Sequence, residues 1–187
     1  MLSYCDGACR GGNPGQTSAA FAVFLENATN DLVYSRARYL GPELRTNNFA
    51  EYQGLLDLLK WACKSKVMEL KIFCDSKLVV NQVMDEWDVN SQDLMPLWRE
   101  AYALRIRGNH TLHHIHGHSG NPGNDYVDRL CNEVLDRQAE LDVESHASRV
   151  YFELTGTAFE TLDPVAQRKY LEQWKEDRHA ANEKTFS

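Results

Sequence analysis

No apolar run in this 187-residue chain is longer than the seven residues Ala19 to Leu25, far short of a membrane-spanning helix. The amino terminus lacks both a basic segment and an apolar segment of the secretory type. Met1 is followed almost at once by Tyr4, Cys5 and Asp6, so no signal peptide is expected. There is no Cys-x-x-Cys pair. The five cysteines, Cys5, Cys9, Cys63, Cys74 and Cys131, are odd in number and irregularly spaced, which argues against a disulfide framework or a zinc site. Reduced thiols, each a small buried hydrophobe in a cytoplasmic protein, are the expectation. A basic excess is missing too: 20 Lys and Arg face 27 Asp and Glu, a net charge of −7. Such a chain does not grip nucleic acid through its overall field. No internal repeat or low-complexity stretch is present.

What is there is a globular composition, 43% hydrophobic and 25% charged, in a chain long enough to bury a core without staples. Leu2 to Cys5 reads as a strand ending in Asp6-Gly7, followed by the loop CRGGNPG. Ser18–Asn27 and Leu32–Leu40 complete a three-strand meander, with a turn at Asn27–Asp31. The period then changes. Thr46, Asn47 and Asn48 offer helix caps, and Tyr52, Leu55, Leu56, Leu59 and Cys63 form one apolar stripe of a helix of some twenty residues. Val67–Cys74 reads as a strand, Lys77–Met84 and Gln92–Arg107 as helices, Thr111–Gly117 as a fifth strand. Asp125–Gln138 reads as another helix. The fold class is therefore α/β: a mixed five-stranded sheet, an antiparallel meander plus two parallel strands, flanked by helices.

A domain boundary is expected near residue 140. Residues 141–187 form an extension: a polar linker at Glu140–Arg149, a strand at Val150–Leu154, and an amphipathic helix starting at Asp163-Pro164. In that helix Ala166, Tyr170 and Trp174 share a face that docks on the chain's own domain or, alternatively, on a partner.

Two strand ends look alike, Tyr4-Cys5-Asp6-Gly7 and Phe73-Cys74-Asp75-Ser76. On parallel neighbours both carboxylates emerge at the same sheet edge, where open α/β sheets bind ligands. Glu51 and Asp128 each follow a helix start, where an acid otherwise serves only the helix dipole.

These segments together resemble ribonuclease H, type I. DGACRGGNPG at 6–15, TNNFAE at 46–51, DS at 75–76 and GHSGNPGNDYVD at 117–128 match its motifs in order, over about residues 1–138. The resemblance implies that Asp6, Glu51, Asp75 and Asp128 are catalytic metal ligands and that His118 handles protons or product release. It places Cys9, Gly12, Asn13, Thr46, Asn47, Asn48 and Ser76 against the substrate. It also implies the RNase H-like fold and cleavage of the RNA strand of RNA–DNA hybrids, leaving 3′-hydroxyl and 5′-phosphate ends. Four clustered carboxylates need cations, and all-oxygen ligands select Mg²⁺, two ions per site, with Mn²⁺ as the alternative.

The alternatives are the ribonuclease H domain of a reverse-transcribing element, or a non-catalytic module on the same scaffold that binds nucleic acid or protein. Met1 just ahead of the first strand favours a free-standing protein, expected to be a monomer. Three features depart from the family pattern. The first loop has one extra glycine, which leaves open whether Gly11 or Gly12 approaches the substrate. Lys77 stands where some members carry glutamine. Residues 76–108 hold four basic and five acidic side chains, so the basic protrusion of many members is missing. Trp87 and Trp98 are read as packing residues, and the histidines at 110–118 as an exposed strand face rather than a metal cluster.

Overall fold

The structure, a computed structural model, describes residues 1–25, 31–117 and 120–185. The chain divides into two compact units, residues 1–136 and 137–187. The first is built on a five-stranded sheet. Strand β1 (Leu2–Arg10) pairs antiparallel with β2 (Gln16–Phe24), and β2 pairs antiparallel with β3 (Leu32–Tyr39). On its other side β1 pairs in parallel with β4 (Lys71–Cys74), which pairs in parallel with β5 (Thr111–His114). The order is β3-β2-β1-β4-β5.

Helix α1 (Asn47–Lys64) carries the chain from the meander to β4. Thr46 caps it, its side-chain oxygen accepting the Phe49 N–H at 3.3 Å. The helix ends at Ser65, and Lys66 turns the backbone into the left-handed region at φ 56°. Helices α2 (Lys77–Val83) and α3 (Met95–Gly108) separate β4 from β5, and α4 (Pro122–Thr155) follows β5.

Period-two alternation in β1 sends neighbouring residues into two cores. Cys5 joins Phe21, Val23, Ile72, Cys74 and the leucines of α1, while Tyr4 joins Ala20, Ala22, Phe24, Val127 and Cys131. Leu55, Leu56, Leu58 and Leu59 are fully buried. Each contributes roughly 1.5–3 kcal/mol of burial, so α1 is fixed firmly to the sheet.

Several elements differ from the sequence reading. β1 does not stop at Cys5; it continues to Arg10 because β2 pairs with it throughout, which puts Asp6 mid-strand. Parallel pairing with β4 is what ends, at Tyr4 and Phe73, just before the two aspartates. β4 begins at Lys71 rather than Val67, after Lys66 and Glu69 have both taken positive φ. β5 ends at His114 rather than Gly117, where β4 offers no further partner. The expected turn at Asn27–Asp31 falls largely outside the described residues.

Residues 140–154 are neither linker nor strand. They continue α4, a run with few helix breakers before Gly156. In the second unit a 3₁₀ turn (Phe159–Thr161) leads to α5 (Pro164–Thr185), capped by Asp163, whose carboxylate accepts the N–H groups of Val165 and Ala166. The aromatic stripe of α5 is used inside this unit. Tyr170 packs edge-on to Tyr151 and against Phe159, and Trp174 meets His146. Among the described residues no helix is long and apolar enough to cross a membrane.

Candidate active site

Asp6 on β1, Asp75 just past β4, Glu51 on α1 and Asp128 on α4 are brought together at the sheet edge where β1 loses its β4 neighbour. The two helical acids lie in second turns, not first. α1 starts at Asn47 and α4 at Pro122, several residues ahead of Glu51 and Asp128. Interaction with the helix ends fades over that distance, so it does not explain them.

Each acid has a polar partner. The Gly7 N–H donates to Asp6 Oδ1 at 2.7 Å. Asn47 Nδ2 donates to Glu51 Oε1 at 3.2 Å, Asn124 Nδ2 to Asp75 Oδ2 at 3.3 Å, and Asn132 Nδ2 to Asp128 Oδ1 at 3.1 Å. The partners do not suffice. Glu51 is 5% exposed and its Oε2 is buried with no hydrogen-bond donor. Burial, followed by the neighbouring Cys74, Asp6 and Asp75, holds the Glu51 carboxyl well above its ordinary range. Asp6 is pushed up to about 7, first by burial and then by Asp75, with Asp128 adding to the rise and the Gly7 N–H and a side-chain hydrogen bond with Glu51 opposing it. Mutual repulsion and desolvation of this kind are relieved by a cation.

Ligand atoms of Glu51, Cys74 and Asp75 lie within 4.8 Å of one another. Sequence reasoning missed Cys74, taken there as a core hydrophobe, and missed Asn124 and Asn132. Asn124, inside the motif GHSGNPGNDYVD, lies in the first turn of α4, 2% exposed.

The remaining expected residues divide. Asn13 Oδ1 accepts the Asn47 N–H at 3.1 Å, which ties the glycine loop to the start of α1. Cys9 Sγ donates to the carbonyls of Gly12 and Arg45, so it shapes that loop from within. Gly11 and Gly12 both take positive φ, 81° and 134°, which explains why two glycines are accommodated. Thr46 and Ser76 are helix caps, and Asn47 serves Glu51. Asn48 is half-buried in the first turn of α1. His118 lies outside the described residues. Trp98 is a packing residue whose indole donates to the Gln82 carbonyl, but Trp87 is not: it is 46% exposed, with Lys77 over its ring. His110 is buried, its Nδ1 accepting the Leu70 N–H, whereas His113, His114 and His116 are exposed.

A mixed sheet that gathers four carboxylates at one edge, with a glycine loop tied to the start of α1, offers an all-oxygen donor set suited to divalent cations. Comparison with known proteins gives the family. The family model for RNase H matches residues 1–136. The bifunctional protein Rv2228c of Mycobacterium tuberculosis is 34% identical over 135 residues, which are 72% of this chain and 35% of that protein. The chain thus spans about a third of the length of that relative. A ribonuclease H of Ruthia magnifica is 30% identical over 149 residues, covering 73% of this chain and 96% of its own. Among solved structures, LC11-RNase H1 in complex with an RNA/DNA hybrid superposes with a TM-score of 0.64 at 26% identity, over 74% of this chain and 98% of that one. The chain belongs to the RNase H family, whose members depend on divalent metal ions.

Proposed function

We propose that this chain hydrolyses the RNA strand of RNA–DNA hybrids, leaving 3′-hydroxyl and 5′-phosphate ends, with two Mg²⁺ ions held by Asp6, Glu51, Asp75 and Asp128. The observation that carries the proposal is Glu51 Oε2, a buried carboxylate oxygen with no donor, beside Asp6 and Asp75, with Asp128 next to Asp6. A buried anionic oxygen of that kind fits a cation. All-oxygen donors favour Mg²⁺, with Mn²⁺ as a substitute. Bound ions of this type activate water and stabilise the leaving oxygen in an in-line displacement.

The chain's own groups do the positioning. Asn47, Asn124 and Asn132 orient three of the carboxylates, and the Gly7 N–H orients the fourth. The exposed backbone of Gly11 and Gly12, held by Asn13 and Cys9, suits close approach to the ribose side of a hybrid. His118, which stands where the family's motif places its histidine, is assigned to proton handling or product release. The hybrid as substrate is supported by the likeness to LC11-RNase H1. The cytoplasmic setting belongs to the same proposal and rests on five free cysteines, three of them buried.

The test is a gel assay with end-labelled hybrid, duplex RNA and duplex DNA, each with Mg²⁺, Mn²⁺ or EDTA. Cleavage confined to the RNA strand of the hybrid, and abolished by EDTA, is expected. Equal cleavage of all three duplexes, or cleavage in EDTA, contradicts it.

A further inference from the structure

One side chain at the site plays no part in the hydrolysis proposed above. Cys74 is the last residue of β4, wholly buried, and lies in the core beneath α1 beside the two carboxylates. Its Sγ accepts the Ser76 N–H at 3.4 Å and shares a side-chain hydrogen bond with Cys5, contacts that hold the sulfur in place. The ligand atoms of Glu51, Cys74 and Asp75 are mutually within 4.8 Å, and Glu51 Oε2 is unpartnered and buried. The donor set is therefore one soft sulfur and two hard oxygens, with one oxygen lacking any donor.

We infer that Glu51, Cys74 and Asp75 form a site for a thiophilic divalent cation, Zn²⁺ or Cd²⁺, overlapping the site of the hard cation. Zinc bonds sulfur at about 2.3 Å and carboxylate oxygen at about 2.0–2.2 Å, so a tetrahedral ion holds sulfur and oxygen roughly 3.5 Å apart. A cluster already within 4.8 Å closes to that spacing by side-chain movements of about an ångström. Mg²⁺ ignores the sulfur, because it takes oxygen ligands in near-octahedral geometry. On binding the soft ion, the Cys74 S–H bond breaks, its proton passes to solvent, and a metal–sulfur bond forms without electron transfer. The two cations compete for Glu51 and Asp75. Only the consequence of that competition, loss of Mg²⁺-dependent hydrolysis, rests on the function proposed above.

The test is a titration of the reduced, metal-free full chain with CdCl₂ in the absence of nucleic acid, followed by the ultraviolet sulfur-to-cadmium charge-transfer band. One thiolate band per chain is expected, with an apparent affinity at least tenfold weaker in excess Mg²⁺ and in Glu51→Gln. The band is lost in Cys74→Ser and kept in Cys63→Ala, whose thiol is exposed and outside the cluster. A band that persists in Cys74→Ser, or that ignores Mg²⁺, overturns the inference. Where Cys74→Ser does not fold, ¹¹³Cd NMR of the unaltered chain decides. A resonance typical of mixed sulfur and oxygen ligation that is displaced by Mg²⁺ supports the site, and an all-oxygen shift overturns it. No hybrid is present, so failure here leaves the hydrolysis reading untouched, and failure of hybrid cleavage leaves the cadmium result standing.

Discussion

A Cβ added to Gly7 would lie 2.2 Å from the backbone nitrogen of Glu51. The turn of α1 that carries one acid therefore rests directly on the residue that follows another, Asp6. Gly54 repeats the contact one turn on, where an added Cβ would lie 2.4 Å from the Asp6 carbonyl oxygen. Both obstacles are backbone atoms, which cannot rotate away. The spacing of the two carboxylates is set by these two missing side chains.

Gly7→Ala is accordingly expected to lift α1 from β1. The loss of stability should be about 2 kcal/mol or more, in the range of overpacked cores, with hybrid cleavage falling at least tenfold. Urea denaturation and single-turnover cleavage on the same protein check this. Gly120→Ala is the comparison for a glycine with no atom near its missing Cβ; its φ of 74° strains the backbone but leaves the carboxylates in place.

Glu51→Gln replaces a buried carboxylate with a neutral amide of the same shape. In EDTA the variant should be more stable than the parent near neutral pH, by about 1–3 kcal/mol, because the uncompensated group is gone. Its Mg²⁺-dependent cleavage should fall by about two orders of magnitude or more. Thermal denaturation and cleavage rates measured side by side read both effects.

The raised Asp6 carboxyl has a pH signature. Its folded-state value, about 7, lies above the ordinary 3.8, so its favourable contribution is complete below about 3.8 and is lost as pH rises through about 7. In metal-free buffer the stability advantage of Asp6→Asn over the parent should therefore grow between pH 4 and pH 7. Saturating Mg²⁺ should shrink it. A difference that stays flat across that window contradicts the assigned cause.

Much of this site is legible in the sequence because its chemistry is local. Asp6-Gly7, Asp75-Ser76 and the capped start of α1 each announce themselves within a few residues. The strand-end reading of Asp6 fails for a non-local reason: β1 keeps its β2 partner to Arg10, which no pattern inside Leu2–Gly7 reveals. The strand expected at Val150–Leu154 is apolar enough for either state, and continuity with α4 decides it as helix. Cys74 and Asn124 are invisible as site residues because their roles depend on which side chains face them across the sheet edge.

The missing basic protrusion also has a measurable consequence. Between Ser76 and Gly108 the acids outnumber the bases, and in this stretch Trp87 is exposed with Lys77 over its ring. Hybrid affinity of the chain should be modest and fall only shallowly with added salt, because the salt slope follows the number of phosphates that Lys and Arg neutralise and this stretch adds few. Fluorescence anisotropy in Ca²⁺ over a salt series reads it. Tight binding that falls steeply with salt is the contrary result.

The central claim, that the four carboxylates are a cation-dependent hydrolytic centre for hybrids, meets its most direct test in Asp75→Asn. Asp75 is half-buried at the sheet edge, its Oδ2 held by Asn124, and amide replacement keeps its shape. The expected result is a folded protein with an unchanged circular dichroism spectrum whose Mg²⁺-dependent cleavage of the RNA strand drops by about a thousandfold. Turnover equal to that of the parent chain would contradict it.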